Sequence, residues 1–324
     1  MKKTALLLSL LVIIAFISYQ MIADDIAVFS NISDSNLKET TPATKEGPSD
    51  SSDTDTLEPD FDTVATKTPT KLPDIDISLK EALNKIPSEY QQLNYFNYEY
   101  AARYVGYKEL NPDLDYEKVI TYVNIGLDFP FYSNINTISD TNRIDVLVNK
   151  YNKLPDDFIP QLEQLPASIC VPGTGNHYLR KEAKEAFEKM HNDAKKLGLN
   201  ITAYGTYRSI ELQDSIWNNK VKSGRSIENV DRLNARGGHS EHNTGLAIDV
   251  IKNDYTVENS TEYKWYKDNA HLYGFIIRYP KDKENITGYA YEPWHLRYLG
   301  PELATEVYNS GLTYDEYYVR MLGN

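Results

Sequence analysis

The run Leu246-Ala247-Ile248-Asp249-Val250 constrains this chain more than any other stretch, because it sets one acid inside a segment too apolar to lie in solvent. Leu246, Ile248 and Val250 fall on one side of an extended chain and Ala247 and Asp249 on the other, so the alternation predicts a strand with one apolar face. The Asp249 carboxylate then projects beside only the small Ala247, into a space kept clear. A buried carboxylate needs a partner. His242, seven residues upstream across a glycine-containing bend, can bring an imidazole to the same point, and a cation satisfies both. Two ligands do not hold a catalytic zinc, which takes three protein ligands and an open position for water, so a third histidine or acid must come from elsewhere in the chain.

The other histidines are His177, His191, His239, His271 and His295. Only His295, in Glu292-Pro293-Trp294-His295, sits next to an acid in an aromatic setting. A zinc hydrolase also needs a carboxylate near the attacking water that is not itself a ligand, to take a proton and return it, and Glu292 has that chemistry three residues from His295. Each of these pieces taken singly is common in proteins that bind nothing. Their combination is not.

The surrounding pattern is α+β. Leu179, Ala183, Ala186, Phe187, Met190, Ala194 and Leu197 recur at helical spacing, and Gly198 follows as a stop. Residues 200–207 read as a strand, Ser209 as the cap of a helix running to Gly224, residues 262–273 as a helix, and GFIIRYP and YEPWHLRYL as strands. Residues 78–132 are tyrosine-dense, in a chain with 26 tyrosines against 9 phenylalanines. LKEALNKIP and EYQQLNYFNYEYAARYVGY read there as short helices whose rings pack a small subdomain, a role that suits tyrosine better here than sugar stacking. Asn111-Pro112-Asp113 marks a turn, and YEKVITYVNIGL beyond it reads as a strand or a short helix.

The first residues put two lysines ahead of an apolar run from Ala5 to Ile17 broken only by Ser9, the pattern of an export signal. Met21-Ile22-Ala23 is a poor small-x-small cleavage site, and Thr4 to Ala23 as a helix would reach roughly 30 Å, enough to span a bilayer. Residues 1–23 therefore read as a signal peptide or a membrane anchor. Residues 24–75 are rich in Ser, Thr, Asp and Pro, with 12 acids against 4 lysines, and read as a disordered acidic linker. As a coil such a linker extends on the order of 40 Å. Of the formal net charge of −13, +2 falls in 1–23 and −8 in 24–75, leaving −7 for 76–324. No basic stripe is present for nucleic acid. Cys170, the sole cysteine, permits no intramolecular disulfide and reads as a buried apolar residue; an exported chain without disulfides suits a bacterial envelope. The expected organisation is 1–23 signal or anchor, 24–75 linker, 76–140 helical tyrosine-rich segment and 141–324 catalytic domain.

Ser240-x-His242-x-x-Gly245-x-Ala247-x-Asp249, followed by Glu292-x-Trp294-His295, resembles the paired signature of VanY-type D-alanyl-D-alanine carboxypeptidases. The resemblance extends to Val146–Leu162 and to Tyr207-Arg208-Ser209 with Gln213, and so covers roughly residues 115 to 300. It implies a small antiparallel sheet with flanking helices, one zinc ion per chain held by His242, Asp249 and His295, and Glu292 as the catalytic base. It also implies that Arg208, Gln213 and Ser240 contact the substrate's terminal residue. Arg208, just before a helix start, carries a charge suited to a terminal carboxylate or to a developing oxyanion. The substrate implied is a peptidoglycan stem peptide losing its terminal D-alanine outside the cytoplasm, with the enzyme anchored to the membrane or secreted to the wall. An L,D-carboxypeptidase, an endopeptidase and a non-catalytic wall-binding module of the same fold stay open as alternatives. In this scheme His239 is a loop residue or at most pocket rim, Trp294 is wall, and Gly245 and Ala247 are small so that metal and substrate approach the backbone closely.

Overall fold

The computed structural model describes residues 77–323; the expected signal or anchor and the acidic linker lie outside the described residues. The tyrosine-dense stretch forms α1 (Leu79–Lys85), α2 (Ala101–Leu110) and α3 (Tyr116–Ile125). YEKVITYVNIGL resolves as helix α3 because Asp115 accepts the Lys118 amide at its start and Gly126, at φ +104°, turns the chain left-handed at its end. Tyr104 and Val105 of α2 pack against Val119, Ile120 and Val123 of α3. The Tyr104 hydroxyl donates to Asn124 Oδ1 at 2.7 Å, so this buried ring keeps a satisfied polar edge.

The centre of the fold is a four-stranded sheet made from β1 (Ala203–Gly205), β2 (Ala247–Val250), β3 (Phe275–Ile277) and β4 (His295–Tyr298). Its order is β1-β2-β4-β3 and all neighbours are antiparallel. Ile248 pairs with Leu296, and Asp249 pairs with His295 on one side and Gly205 on the other. Ile248, Val250, Leu296, Tyr298 and Phe275 join the main core, into which α4 (Lys181–Lys196) sends Ala183, Phe187, Met190 and Ala194. Full burial of Phe187 and Met190 contributes about 1.5–3 kcal/mol each. The helix starts two residues later than the apolar spacing suggests. Leu179 is instead held extended in a two-residue strand against Glu163–Gln164, and the Arg180 amide donates to Gly245 O at 2.8 Å.

Ser209 caps α5 (Ile210–Lys222) by accepting the Leu212 amide, after which α6 (Ile227–Leu233) closes one side of a cleft. The helix expected over 262–273 divides into α7 (Thr261–Asn269) and a tighter turn, Ala270–Tyr273, that ends at Gly274 with φ +89°. Beyond β4 the chain continues as α8 (Pro301–Ser310) and the short α9 (Tyr314–Tyr317). No helix among the described residues is long and apolar enough to cross a membrane.

Candidate active site

The second face of β2 and β4 carries Ala247, Asp249, His295 and Arg297, all buried. His242 reaches it from the helical turn Glu241–Thr244, which Ser240 caps by accepting the His242 amide. His242 Nδ1 lies 2.7 Å from Thr206 O; a carbonyl only accepts, so Nδ1 carries the proton and Nε2 keeps its lone pair. That Nε2 is 3.3 Å from Asp249 Oδ2. From the other side, His295 Nδ1 is 3.1 Å from Asp249 Oδ1. Donor atoms of His242, Asp249 and His295 all lie within 4.8 Å of one another, and the two imidazole rings meet edge to face at 4.9 Å. Folding has brought together residues 46 positions apart.

The space Asp249 occupies is kept clear mainly by the neighbouring strand. A Cβ on Gly205 would stand 2.9 Å from Asp249 Oδ2. Gly245 has a different duty from the one expected of it: at φ +70° it ends the ligand-bearing turn, and a Cβ there would meet Leu162 at 2.8 Å. Its smallness serves a left-handed turn and packing rather than the approach of metal or substrate.

Electrostatics mark this face as a place for positive charge. Burial alone would raise the Asp249 carboxyl, but the facing His242 and His295 imidazoles outweigh it and hold it well below the ordinary carboxylate range. Burial likewise opposes protonation of His295, yet Asp249 and Glu241 bring its value up to about 9. Burial and the Arg208 charge keep His242 low, hence neutral, as a metal ligand must be. Two imidazoles and a carboxylate converging on one point, on a face that attracts a cation, form a donor set that zinc accepts.

Glu292 stands beside this set without joining it, with Oε2 3.6 Å from His295 Nδ1. Burial, with Asp249 adding to it, raises its carboxyl to about 7. Arg208 enters the same cleft with Nη2 3.6 Å from Asp249 Oδ2, and its buried Nε has no hydrogen-bond partner among the described residues. Gln213 is buried at the cleft wall, where its Oε1 accepts from Arg208 Nη1 at 2.9 Å and its Nε2 donates to Ala235 O at 2.7 Å. It therefore aims Arg208. Ser240, Gln213, Arg208, Glu292 and Trp294 all line the cleft, joined by Tyr279 and Tyr289.

His239 is a loop residue, as expected, but a buried one outside the cleft lining. It is 4 % exposed, packs edge-on to Tyr132, and binds Asn149 O through Nδ1 at 2.8 Å. Burial brings its value down to about 4. Cys170 is buried with its thiol pushed up to about 11 by burial, as an inert apolar residue would be. Sequence reasoning passed over Glu241, Arg278, Arg297 and Asp315. Arginines inside FIIRYP and HLRYL were the available signal, because a charge within an apolar strand requires a buried partner.

Zinc metallopeptidases are the class in which such a donor set works beside a free carboxylate, and the sheet and cleft place this protein among them. A family profile described as "VanY: D-alanyl-D-alanine carboxypeptidase" matches residues 176–301. A putative carboxypeptidase of Bacillus subtilis (strain 168) is 36% identical over 208 residues, covering 60% of this chain and 74% of that protein. A D-alanyl-D-alanine carboxypeptidase of Enterococcus faecalis is 33% identical over 180 residues, 53% of this chain and 64% of the relative. Among solved structures, the LdcB LD-carboxypeptidase is 38% identical with a TM-score of 0.51, covering 58% of this chain and 91% of that one. A VanY D,D-pentapeptidase solved in complex with Zn(II) is 32% identical with a TM-score of 0.45, over 53% of this chain and 97% of that one. The chain belongs to the VanY D-alanyl-D-alanine carboxypeptidase family.

Proposed function

We propose that this protein is a zinc-dependent carboxypeptidase that removes the C-terminal D-alanine from peptidoglycan stem peptides. The observation that carries the reading is Glu292, a non-ligand acid raised to about 7 beside the His242, Asp249 and His295 donor set. A buried carboxyl standing beside the donor set without belonging to it can take a proton from water and give it back. His242, Asp249 and His295 would hold zinc, which when bound acidifies water and polarises a carbonyl. Glu292 accepts a proton from the attacking water and delivers it to the amine that leaves. Arg208, which lines the cleft, meets the negative charge of the substrate, either the terminal carboxylate or the oxyanion that forms at the attacked carbonyl. Gln213 keeps Arg208 aimed, and the Ser240 hydroxyl adds a donor at the cleft wall. The working domain is residues 141–324, carried outside the cytoplasm by an N-terminal segment that is either cleaved as a signal peptide or kept as an anchor ahead of the acidic linker.

The likeness to the LdcB LD-carboxypeptidase supports a second reading, in which the same residues cut an L,D bond in a stem tetrapeptide. One experiment separates the two. Residues 76–324 are incubated with stem pentapeptide and stem tetrapeptide, with and without a chelator, and the products are weighed by mass spectrometry. Release of one D-alanine from pentapeptide, abolished by the chelator, is the expected result. Release from tetrapeptide alone selects the L,D reading, and release from neither by a folded, zinc-loaded protein removes both.

A further inference from the structure

The third ligand is held from behind by a buried chain of charges that runs out of the matched domain. His295 offers Nδ1 to Asp249, and its Nε2 lies 3.3 Å from Glu241 Oε2. Glu241 is 1 % exposed. Its other oxygen, Oε1, accepts from Arg278 Nε at 2.7 Å and from Arg297 Nη1 at 2.8 Å. That leaves Oε2 for His295. Arg278 is anchored in turn by Asp315 of α9, with Nη1 2.6 Å from Oδ2, and Asp315 Oδ1 accepts from Asn149 Nδ2 at 2.8 Å. Arg297 is fixed independently by the carbonyls of Ile144 and Val146, at 2.9 and 2.6 Å. Two arginines face two carboxylates, none of them more than 1 % exposed.

A carboxylate accepts and does not donate, so Glu241 selects the His295 tautomer that carries its proton on Nε2 and leaves the Nδ1 lone pair facing His242 and Asp249. Glu241 sits next to ligand His242 in one turn, so one segment supplies the first ligand and orients the third. We propose that Glu241 is a positioning residue for the metal site, and that Arg278 and Asp315 extend this role to α9. The segment beyond residue 301, where the family profile ends, is then part of the site. This inference rests on the zinc reading given above.

The test compares Glu241→Gln and Asp315→Asn with the unaltered protein. Metal-free samples are titrated with zinc against a chromogenic chelator at one pH, with circular dichroism confirming the fold. The amide of glutamine no longer fixes the tautomer, and zinc dissociation constants about 10–100-fold weaker are expected for Glu241→Gln, with a smaller loss for Asp315→Asn. A folded Glu241→Gln within twofold of the unaltered protein would overturn the proposal. In case that variant does not fold, nitrogen-15 NMR of the unaltered zinc-loaded protein reads the His295 ring directly. A proton on Nε2 supports the proposal and a proton on Nδ1 sinks it. Failure of the unaltered protein to bind zinc would instead remove the zinc reading itself, so the two failures are distinguishable.

Discussion

The two faces of β2 and β4 are buried alike and sealed by opposite means. Ile248, Val250, Leu296 and Tyr298 close one face against Phe187 and Met190 of α4. The other face, with Ala247, Asp249, His295 and Arg297, is closed by charged groups that neutralise one another in a shared network. The apolar face tolerates imprecise packing at modest cost, since any neighbour of the right volume serves. A buried charge tolerates no missing partner, because desolvation costs several kcal/mol per ion and only a well-placed opposite charge offsets it. The difference suits the second face to chemistry: the geometry that neutralises charge also holds the candidate ligands still.

The sharpest way to separate the faces is to remove the proposed base, Glu292, alone. Glu292→Gln is expected to lower turnover by about 10²–10⁴-fold while zinc content, measured by metal analysis, stays unchanged; retained turnover would show that the base lies elsewhere. A matched pair of variants then compares what holds each face. Phe187→Ala on the apolar side will cost about 3–5 kcal/mol of stability, read by urea unfolding, with activity per folded molecule intact. Arg278→Met on the polar side will cost a similar amount, about 3–5 kcal/mol, because Glu241 and Asp315 lose their shared cation, and zinc affinity will fall with it. If Arg278→Met leaves affinity untouched, the polar face is scaffolding only.

A smaller change probes the border between the faces. Gly205→Ala places a methyl against Asp249 Oδ2, with an expected cost of about 1–3 kcal/mol and weaker zinc binding in the same chelator titration. The most gradual effect concerns acid. His239 titrates near 4 when folded, against 6.5 ordinarily, so the unfolded chain binds more protons between those values and stability falls as pH drops through that window. The slope is at most about 1.4 kcal/mol per pH unit. His239→Asn keeps a donor for the Asn149 carbonyl and will remove this part of the slope, measured as the difference between the two proteins' unfolding midpoints from pH 6.5 to 4.

Much of the apolar side was legible in sequence. The spacing Ala183, Phe187, Met190, Ala194 announces α4, the Ser209 cap announces α5, and alternation around Ile248 announces β2, because each pattern is periodic within one element. The candidate ligands and Glu292 were reached through motif spacing. Less visible was what surrounds them. Gly205 lies 44 residues from Asp249, Glu241 54 from His295, and Asp315 37 from Arg278; no local period links such pairs. Gln213 illustrates the same limit: that its Oε1 meets Arg208 and its Nε2 meets the Ala235 carbonyl, 22 residues away, follows from no local pattern.

By itself the sequence determined the elements and the residue types able to do chemistry, because local propensity, capping and alternation act over a few residues. Only the tertiary structure decided that Asp249, His242 and His295 converge, that Glu292 stands beside them outside the donor set, and that Glu241 meets His295 from behind. Those outcomes depend on antiparallel register across β1, β2 and β4, and on burial that makes each charge seek its partner far along the chain.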